Sequence, residues 1–239
     1  QDDLRDFKKL GKPNLFFGIS PGCMDSMVNH YTAAKRRRSD DAYTPGNRSG
    51  ARTDMPTIVY TRVLKELFPD TPVIIGGIEA SLRRFTHYDY WKDTLKPSIL
   101  FESRADMLVY GMGEKPITEI CQMLQKGIPF QSLTNIPQTC VLRGKKEKYA
   151  TNKKWQTITL ASHEECLTDK KKYATNFRYI EEESNSIHAA KLIQPVADKL
   201  IIVNPPYAPM TTEEIDTVYD LPFTRLPHPK YKDKEIPAY

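Results

Sequence analysis

Residues 76–84, with the sequence GGIEASLRR, combine types that suit ligand binding. The two glycines let a partner approach the backbone closely, and the acidic and basic side chains supply charge. The candidate substrate-binding residues of this segment are Gly76, Gly77, Glu79, Arg83 and Arg84. We interpret the segment as a loop after an apolar run that predicts a buried strand, and open parallel sheets bind ligands at the carboxyl ends of their strands. The alternative is structural, since glycine after a strand also makes a tight turn.

A second candidate segment, GMGEKP at residues 111–116, joins a predicted strand to a predicted helix. Gly111 and Gly113 shape the loop, and free N–H groups at the start of the helix attract an anion or a carboxylate. In the structural alternative, Glu114 is a favourable first-turn residue. Neither segment is a complete Gly-x-Gly-x-x-Gly or phosphate-binding loop, so the pattern is weakly specific. We include Gly111, Gly113 and Glu114 among the candidate substrate-binding residues.

The string HYDYW at residues 87–91 is the densest polar and aromatic cluster of the chain. His87 and Asp89 are candidates for orienting a polar substrate. The alternative, which we favour, is a packed aromatic corner with one satisfied histidine. The other histidines lack zinc-site spacing, and the sequence has no Gly-x-Ser-x-Gly nucleophile motif. The sequence therefore contains no self-contained catalytic constellation and predicts no catalytic residue.

The four cysteines contain no Cys-x-x-Cys pair. This spacing excludes a contiguous zinc or iron–sulfur motif, argues against a disulfide scaffold, and favours a reducing, cytoplasmic setting. No apolar run approaches the roughly 20 residues of a membrane span, so we expect no membrane contact. We predict no metal or cofactor site in this chain.

The net charge of +5 is unevenly distributed. The basic run KRRR at residues 35–38 is followed directly by SDD, which contains two acidic residues. The run KKK at residues 170–172 is followed by the acidic run EEE at 181–183. A nucleic-acid-binding face would be continuously basic, with aromatic residues to stack on bases. We therefore favour solvated surfaces, and keep the 35–38 loop as the alternative: a binding module for nucleic acid or a protein partner.

The elements that must position these candidates predict an α/β fold. Apolar runs at 15–19, 73–78 and 107–114 are typical of strands buried in a parallel sheet. Helical periodicity follows at 54–68 and at 116–124. This alternation predicts a Rossmann-like, mostly parallel sheet over residues 1–140.

Residues 141–239 predict a smaller α+β segment. It contains a strand at 155–160, a helix at 162–183 that begins with a capping box of Ser162 and Glu165, and a β-hairpin formed by 191–194 and 199–203. A short helix at 211–219 and a proline-rich connector follow. Residues 1–10 predict an amphipathic helix that is already under way at the first residue.

Several strings resemble the N-terminal region of YgiQ-type radical SAM proteins, and they are distributed over nearly the whole chain. They are LFFG at 15–18, MDSMVNHYT at 24–32, RRSDDAY at 37–43, GGIEASLRR at 76–84, HYDYW at 87–91, LVYGMGE at 108–114, NPP at 204–206, LPF at 221–223 and PHP at 227–229. The resemblance implies a bacterial iron–sulfur oxidoreductase, in which a Rossmann-like domain similar to cobalamin-binding domains precedes a radical SAM barrel.

The resemblance also implies what this chain lacks. In the family, a Cys-x-x-x-Cys-x-x-Cys loop holds a 4Fe-4S cluster that binds S-adenosylmethionine, and this loop begins shortly after the equivalent of residues 236–239. The first strand of the Rossmann-like unit would lie before residue 1. The Asp-x-His-x-x-Gly loop of cobalamin domains is absent, which argues against cobalamin. We expect the isolated chain to be inactive, with the C-terminal radical SAM domain as its partner and an unknown substrate at residues 76–84 and 111–114.

Overall fold

The computed structural model describes residues 4–239 of the chain. It contains two compact units, the first made of Gln1–Cys23 and Thr57–Ala208 and the second of Met24–Pro56 and Pro209–Tyr239. The division into 1–140 and 141–239 stays a prediction, and the two compact units are described in turn. None of the described helices is long and apolar enough to cross a membrane.

The described residues form nine strands and nine α-helices. The strands are β1 (Phe17–Ile19), β2 (Val73–Ile75), β3 (His87–Asp89), β4 (Thr94–Lys96), β5 (Met107–Val109), β6 (Thr139–Gly144), β7 (Thr157–Thr159), β8 (Lys191–Val196) and β9 (Lys199–Val203). The helices are α1 (Arg5–Lys8), α2 (Ser26–His30), α3 (Pro56–Leu67), α4 (Gly77–Leu82), α5 (Ile99–Ser103), α6 (Glu114–Gln125), α7 (His163–Thr168), α8 (Lys170–Ser184) and α9 (Thr212–Tyr219). The first three residues of the helix predicted over 1–10 lie outside the described residues.

One sheet runs through the first unit, with the strand order β1-β2-β5-β6-β9-β8-β7 among the described residues. β1, β2 and β5 are parallel neighbours, and β7 is parallel to β8. The pairs β5–β6, β6–β9 and β8–β9 are antiparallel. β3 and β4 form a separate antiparallel hairpin. The predicted α/β class is confirmed, and its parallel part carries the candidate segments.

Burial explains why the continuous apolar runs form the centre of the sheet. Every residue of β2 and β5 is buried, as expected of strands in a parallel sheet that is covered on both faces. α6 presents Ile120 to a core that includes Ile74, Met107, Val141 and Ile202. Ile120, Val141 and Ile202 are fully buried. The sheet and α6 therefore hold the carboxyl ends of β1, β2 and β5 in fixed positions.

The elements after residue 138 differ from the predictions in the helix over 162–183 and in β6. The β8–β9 hairpin is confirmed, and so is the capping box of Ser162 and Glu165. The single helix predicted over 162–183 is wrong, because Asp169 adopts an extended conformation between α7 and α8. Its carboxylate accepts a hydrogen bond from the N–H of Lys171 at 2.8 Å and so starts a new helix. β6, which pairs with both β5 and β9, was not predicted.

Asn204 follows β9 and is fully buried. Its side-chain Nδ2 lies 2.9 Å from Thr134 O, 3.0 Å from Ile136 O and 3.1 Å from Thr139 Oγ1. Tyr110 OH donates to the carbonyl oxygen of Asn204 at 2.6 Å. The side-chain amide and the backbone carbonyl of Asn204 together thus join the ends of β5, β6 and β9.

The second unit contains little regular structure. Asp25 caps α2 by accepting from Met27 N at 3.0 Å. The predicted short helix is confirmed as α9, and Thr211 caps it with a capping box. In the proline-rich connector, Ala238 N donates to Ala42 O, in residues 24–56, at 2.9 Å. Backbone hydrogen bonds therefore tie its two parts together.

A buried polar cluster stabilises residues 24–56 of the second unit. His30 and Asp41 are 2% and 1% exposed. His30 Nδ1 lies 2.8 Å from Asp54 Oδ1, and its Nε2 lies 3.8 Å from Asp41 Oδ2. Asp41 also accepts from Asn29 Nδ2 at 2.7 Å and from Arg52 at 3.0 Å. A segment without sequence periodicity is thus held by side-chain hydrogen bonds and ion pairs.

Candidate functional site

A small cleft of about 240 Å³ lies at the carboxyl ends of β1, β2 and β5, and we call it the glycine cleft. Its wall includes four of the predicted site residues, Gly76, Gly77, Gly111 and Gly113. The apolar part of its wall comes from Ile19, Ile74, Ile75, Val109 and Ile117. The structure thus brings the two candidate glycine segments together at the strand ends.

The glycines are required by close approach of the backbones. Gly76 N donates to Ile19 O at 2.9 Å, and a Cβ on Gly76 would lie 3.3 Å from Val109 O. Gly77 has a φ of +80°, and its Cβ would lie 2.9 Å from Ser20 Oγ and 3.1 Å from Pro21 Cδ. Side chains at these positions would strain the backbone or fill the cleft.

Gly77→Ala is expected to lower the free energy of unfolding by about 2–3 kcal/mol, because it combines a left-handed backbone with a steric clash. Two alanine variants separate these causes. Gly127 has a φ of +79° with nothing near its Cβ position, so Gly127→Ala should cost only about 1 kcal/mol. Gly18 has neither feature and should change stability little. Denaturant unfolding of the three variants measures this order, and a Gly77→Ala cost equal to that of Gly127→Ala would contradict the steric part.

Residues 76–84 were predicted as a loop, and this prediction is wrong because Gly77–Leu82 forms α4. Ser81 Oγ donates to Gly77 O at 2.8 Å and accepts from Gly111 N at 3.2 Å. Ser81 therefore links the two candidate segments directly. Sequence reasoning missed its role, since the two partners are 4 and 30 residues away.

The charged candidates of this segment lie outside the cleft wall. Glu79 is 2% exposed, and Arg83 donates to its backbone oxygen at 3.4 Å. Arg84 lies over the rings of Phe85 and Tyr110, with its Cζ atom 5.5 and 5.0 Å from their centroids. Arg84 also donates to Ser81 O at 2.7 Å. It therefore fixes the end of α4 against its neighbours.

The second segment is shaped by a side chain that the sequence did not indicate. Gly111 has a φ of +65°, and its Cβ position lies 3.5 Å from Gln138 Nε2. That Nε2 also donates to Met112 O, while Gln138 Oε1 accepts from Tyr207 N at 3.4 Å. Glu114 begins α6, and its buried Oε2 has no hydrogen-bond partner among the described residues. Glu114 lies outside the wall of the glycine cleft.

His87 and Asp89 also lie outside this cleft, in the β3–β4 hairpin. His87 Nδ1 lies 3.1 Å from Phe85 O, and burial lowers the pKa of His87. Asp89 accepts from the N–H groups of Trp91 and Lys92 at 2.9 and 3.2 Å. These contacts support the packed-corner interpretation for Asp89, which shapes the turn of the hairpin.

Comparisons with known proteins show to which family this chain belongs. The family described as Radical SAM N-terminal matches residues 1–239. The chain belongs to the radical SAM N-terminal family. A UPF0313 protein of Porphyromonas gingivalis is 61% identical over all of this chain, which covers 37% of that relative. A UPF0313 protein of Bacteroides thetaiotaomicron is 57% identical over all of this chain and 40% of its own length.

A third relative, a UPF0313 protein of Geobacter sulfurreducens, is 48% identical over 98% of this chain and 38% of its own length. The radical SAM N-terminal chain thus spans about two fifths of the length of these curated relatives. Most of each relative consequently lies outside the region compared.

The cysteines of this radical SAM N-terminal chain do not fit an iron–sulfur cluster. Cys140 and Cys166 are buried, and burial raises the pKa of both thiols, that of Cys140 to about 12. Cluster ligation needs thiolates that lie close together. No group of three or more His, Cys, Asp or Glu residues within 4–239 could hold a metal ion. The described residues therefore offer no place for the cluster.

The basic run at residues 35–38 of this chain lies on an exposed loop of the second unit. Arg38 N donates to His30 O at 2.8 Å, and Ser49 Oγ donates to Arg38 O at 2.7 Å. The backbone of the run is therefore held in place while its side chains meet solvent.

Proposed function

We propose that this chain is the N-terminal part of a YgiQ-type radical SAM protein, an iron–sulfur oxidoreductase. The family match over residues 1–239 carries this proposal, together with the 37–40% of each of the first two relatives that the chain covers. The complete protein would reductively cleave S-adenosylmethionine at a 4Fe-4S cluster held by residues outside this chain. The four free thiols support a reducing, cytoplasmic setting for it.

Within that protein, we assign to the glycine cleft a role in closing the substrate side of the C-terminal domain. Two properties support this role. The cleft lies at the strand ends, where α/β sheets bind ligands, and its glycines leave the backbone accessible. Its 240 Å³ volume and mainly aliphatic wall suit a small apolar group. The charged candidates lie outside the cleft wall, and Arg83 and Arg84 stabilise the end of α4 through hydrogen bonds to its backbone.

Gly113→Val in the full-length protein tests this role. Gly113 has an ordinary backbone conformation, and a Cβ there would lie 3.7 Å from Val109 Cγ1, so larger groups enter the cleft without backbone strain. We expect the substrate-dependent part of S-adenosylmethionine cleavage to fall about tenfold, a change of about 1.4 kcal/mol. The measurement is single-turnover cleavage with and without a small-molecule extract of the source cells.

Gly144→Val is the matched control, because Gly144 lies outside the cleft and its Cβ position also has a neighbour at 3.7 Å. Glu79→Gln, Arg83→Met and Glu114→Gln form a second series, with smaller expected losses. Unchanged extract-dependent cleavage in Gly113→Val and in all three of these variants would refute the role of the cleft. Absence of any cleavage by the unaltered full-length protein would refute the radical SAM proposal itself.

A further inference from the structure

A second cleft in the first unit lies at the opposite edge of the sheet from the glycine cleft. It has a volume of about 650 Å³, within the range of small-molecule sites, and we call it the basal cleft. It lies beside Met107, where β5 begins, whereas the glycine cleft lies beside Val109, where β5 ends. The two clefts are therefore separate, and ligand binding in the basal cleft does not depend on the radical SAM proposal.

The basal cleft is rich in cationic side chains. They are Arg62, Arg104, Arg143 and Lys199. Within residues 4–239, the side chains of Arg104 and Lys199 have neither a hydrogen-bond partner nor an ion-pair partner. Arg62 donates only to the carbonyl oxygen of Glu102, at 3.3 Å, which leaves its charge unneutralised. Three positive charges without a carboxylate partner thus face one cavity.

The carboxylates of the basal cleft are already paired. Glu102 Oε1 lies 2.9 Å from Lys96 Nζ, and Asp106 forms an ion pair with Lys65. Asp106 also accepts from Val73 N at 2.7 Å. These acidic groups therefore leave the charges of Arg104 and Lys199 for a ligand.

Arg143 differs from the other cations, because its guanidinium is held in one orientation. It donates to Leu142 O at 2.7 Å and to Gln131 O at 2.6 Å. Its Nε lies 3.5 Å from Glu147 Oε1. A fixed, partly neutralised guanidinium shapes the wall of the cleft, while Arg104 and Lys199 supply the attraction for an anion.

Apolar residues lie beside these charges. Phe101, Phe130, Met107 and Val141 all line the basal cleft. A free inorganic anion makes no use of two phenyl rings, whereas a ligand with a planar base and a phosphate group uses both parts of the wall. Arginine also matches the geometry of phosphate oxygens well. We propose that the basal cleft binds a nucleoside phosphate, with Arg104 and Lys199 on the phosphate and the rings beside the base.

The test is isothermal titration of the full chain with ADP, adenosine and pyrophosphate. We expect ADP to bind at least about tenfold more tightly than adenosine or pyrophosphate, because each of these lacks one half of the contacts. The combined variant Arg104→Gly and Lys199→Thr should bind ADP at least about tenfold more weakly. Glycine suits the φ of 64° at position 104, and threonine suits strand β9, so the variant should fold.

Lys153→Thr with Lys154→Thr is the matched control, since it removes the same charge from exposed residues outside the cleft. This control should bind ADP as the unaltered chain does, and the thermal midpoints of both variants verify their folding. Equal binding of pyrophosphate and ADP, or equal ADP binding by the combined variant, would overturn the proposal. So would tight binding of single-stranded RNA that ADP does not displace, since that indicates a nucleic-acid surface instead.

Discussion

Asn204→Asp is expected to lower the free energy of unfolding of the first unit by about 4 kcal/mol, because it buries an unpaired charge. The amide of Asn204 donates to Thr134 O, Ile136 O and Thr139 Oγ1 at 2.9–3.1 Å. A carboxylate in the same place would face the two carbonyl oxygens as another acceptor. The residue is fully buried, so water cannot relieve this repulsion.

Denaturant unfolding measures this change, and Asn152→Asp is its matched control. Asn152 Oδ1 accepts from Lys154 N at 3.0 Å, an interaction that aspartate retains. We expect the control to change stability by less than about 0.5 kcal/mol. Asn204→Ala should lie between the two variants, since it loses the hydrogen bonds without burying a charge. A cost of Asn204→Asp no greater than that of Asn204→Ala would show that the site is accessible to water.

The sequence predicted those elements whose signal is local. The runs at 73–75 and 107–109 are continuous and apolar, and both are buried strands. β6 was missed because its apolar residues are few and its place in the sheet depends on pairing with β9, some sixty residues later. α4 was mistaken for a loop because Gly76 and Gly77, which lie at its start, are poor helix formers. The hydrogen bond from Ser81 to Gly77 O and the burial of Ala80 offset that preference.

The candidate site was predictable in part for the same reason. Glycines after strands indicate strand ends, and the four predicted glycines do meet in one cleft. The side chains that hold this cleft together, Ser81 and Gln138, could not be found, because their partners are distant in sequence. The basal cleft was missed as well, since Arg104 and Lys199 come from separate elements.

Several unusual strings of this chain are explained by packing. Asn204, Asp89 and Asp41 each satisfy buried or turn backbone groups. An unusual string of residues therefore does not by itself locate chemistry in this fold. The glycine cleft is the better candidate, because its residues leave space where side chains would ordinarily pack.

Asp41→Ala is expected to destabilise the second unit by about 3 kcal/mol, because it removes one partner of a buried ion pair. Asp41 is 1% exposed and lies 3.0 Å from Arg52 and 2.7 Å from Asn29 Nδ2. Without the carboxylate, Asn29 Nδ2 and the Arg52 guanidinium lose this acceptor. Hydrogen exchange of residues 29–54 measures the loss, and it should increase about a hundredfold.

The same carboxylate gives this stability a defined pH dependence. Burial by itself would raise the pKa of Asp41, but hydrogen bonds from Asn29, Tyr43 N and Arg52 hold that pKa below its ordinary value. The folded state therefore binds this proton less tightly than the unfolded state does. The stabilisation is complete above the unfolded pKa of about 3.9 and is lost as the pH falls through the folded value.

Asp41→Asn removes the ionisable carboxyl but keeps the shape of the side chain. The variant therefore isolates the effect of the charge on stability. We expect the stability difference between the unaltered chain and Asp41→Asn to shrink as the pH falls from about 5 to about 3. Asp40→Ala is the matched control, since Asp40 is the exposed neighbour and should leave exchange of residues 29–54 unchanged. A difference that grows on acidification would mean that Asp41 takes up a proton more readily in the folded state. The carboxylate of Asp41 would then not be the charged partner of Arg52.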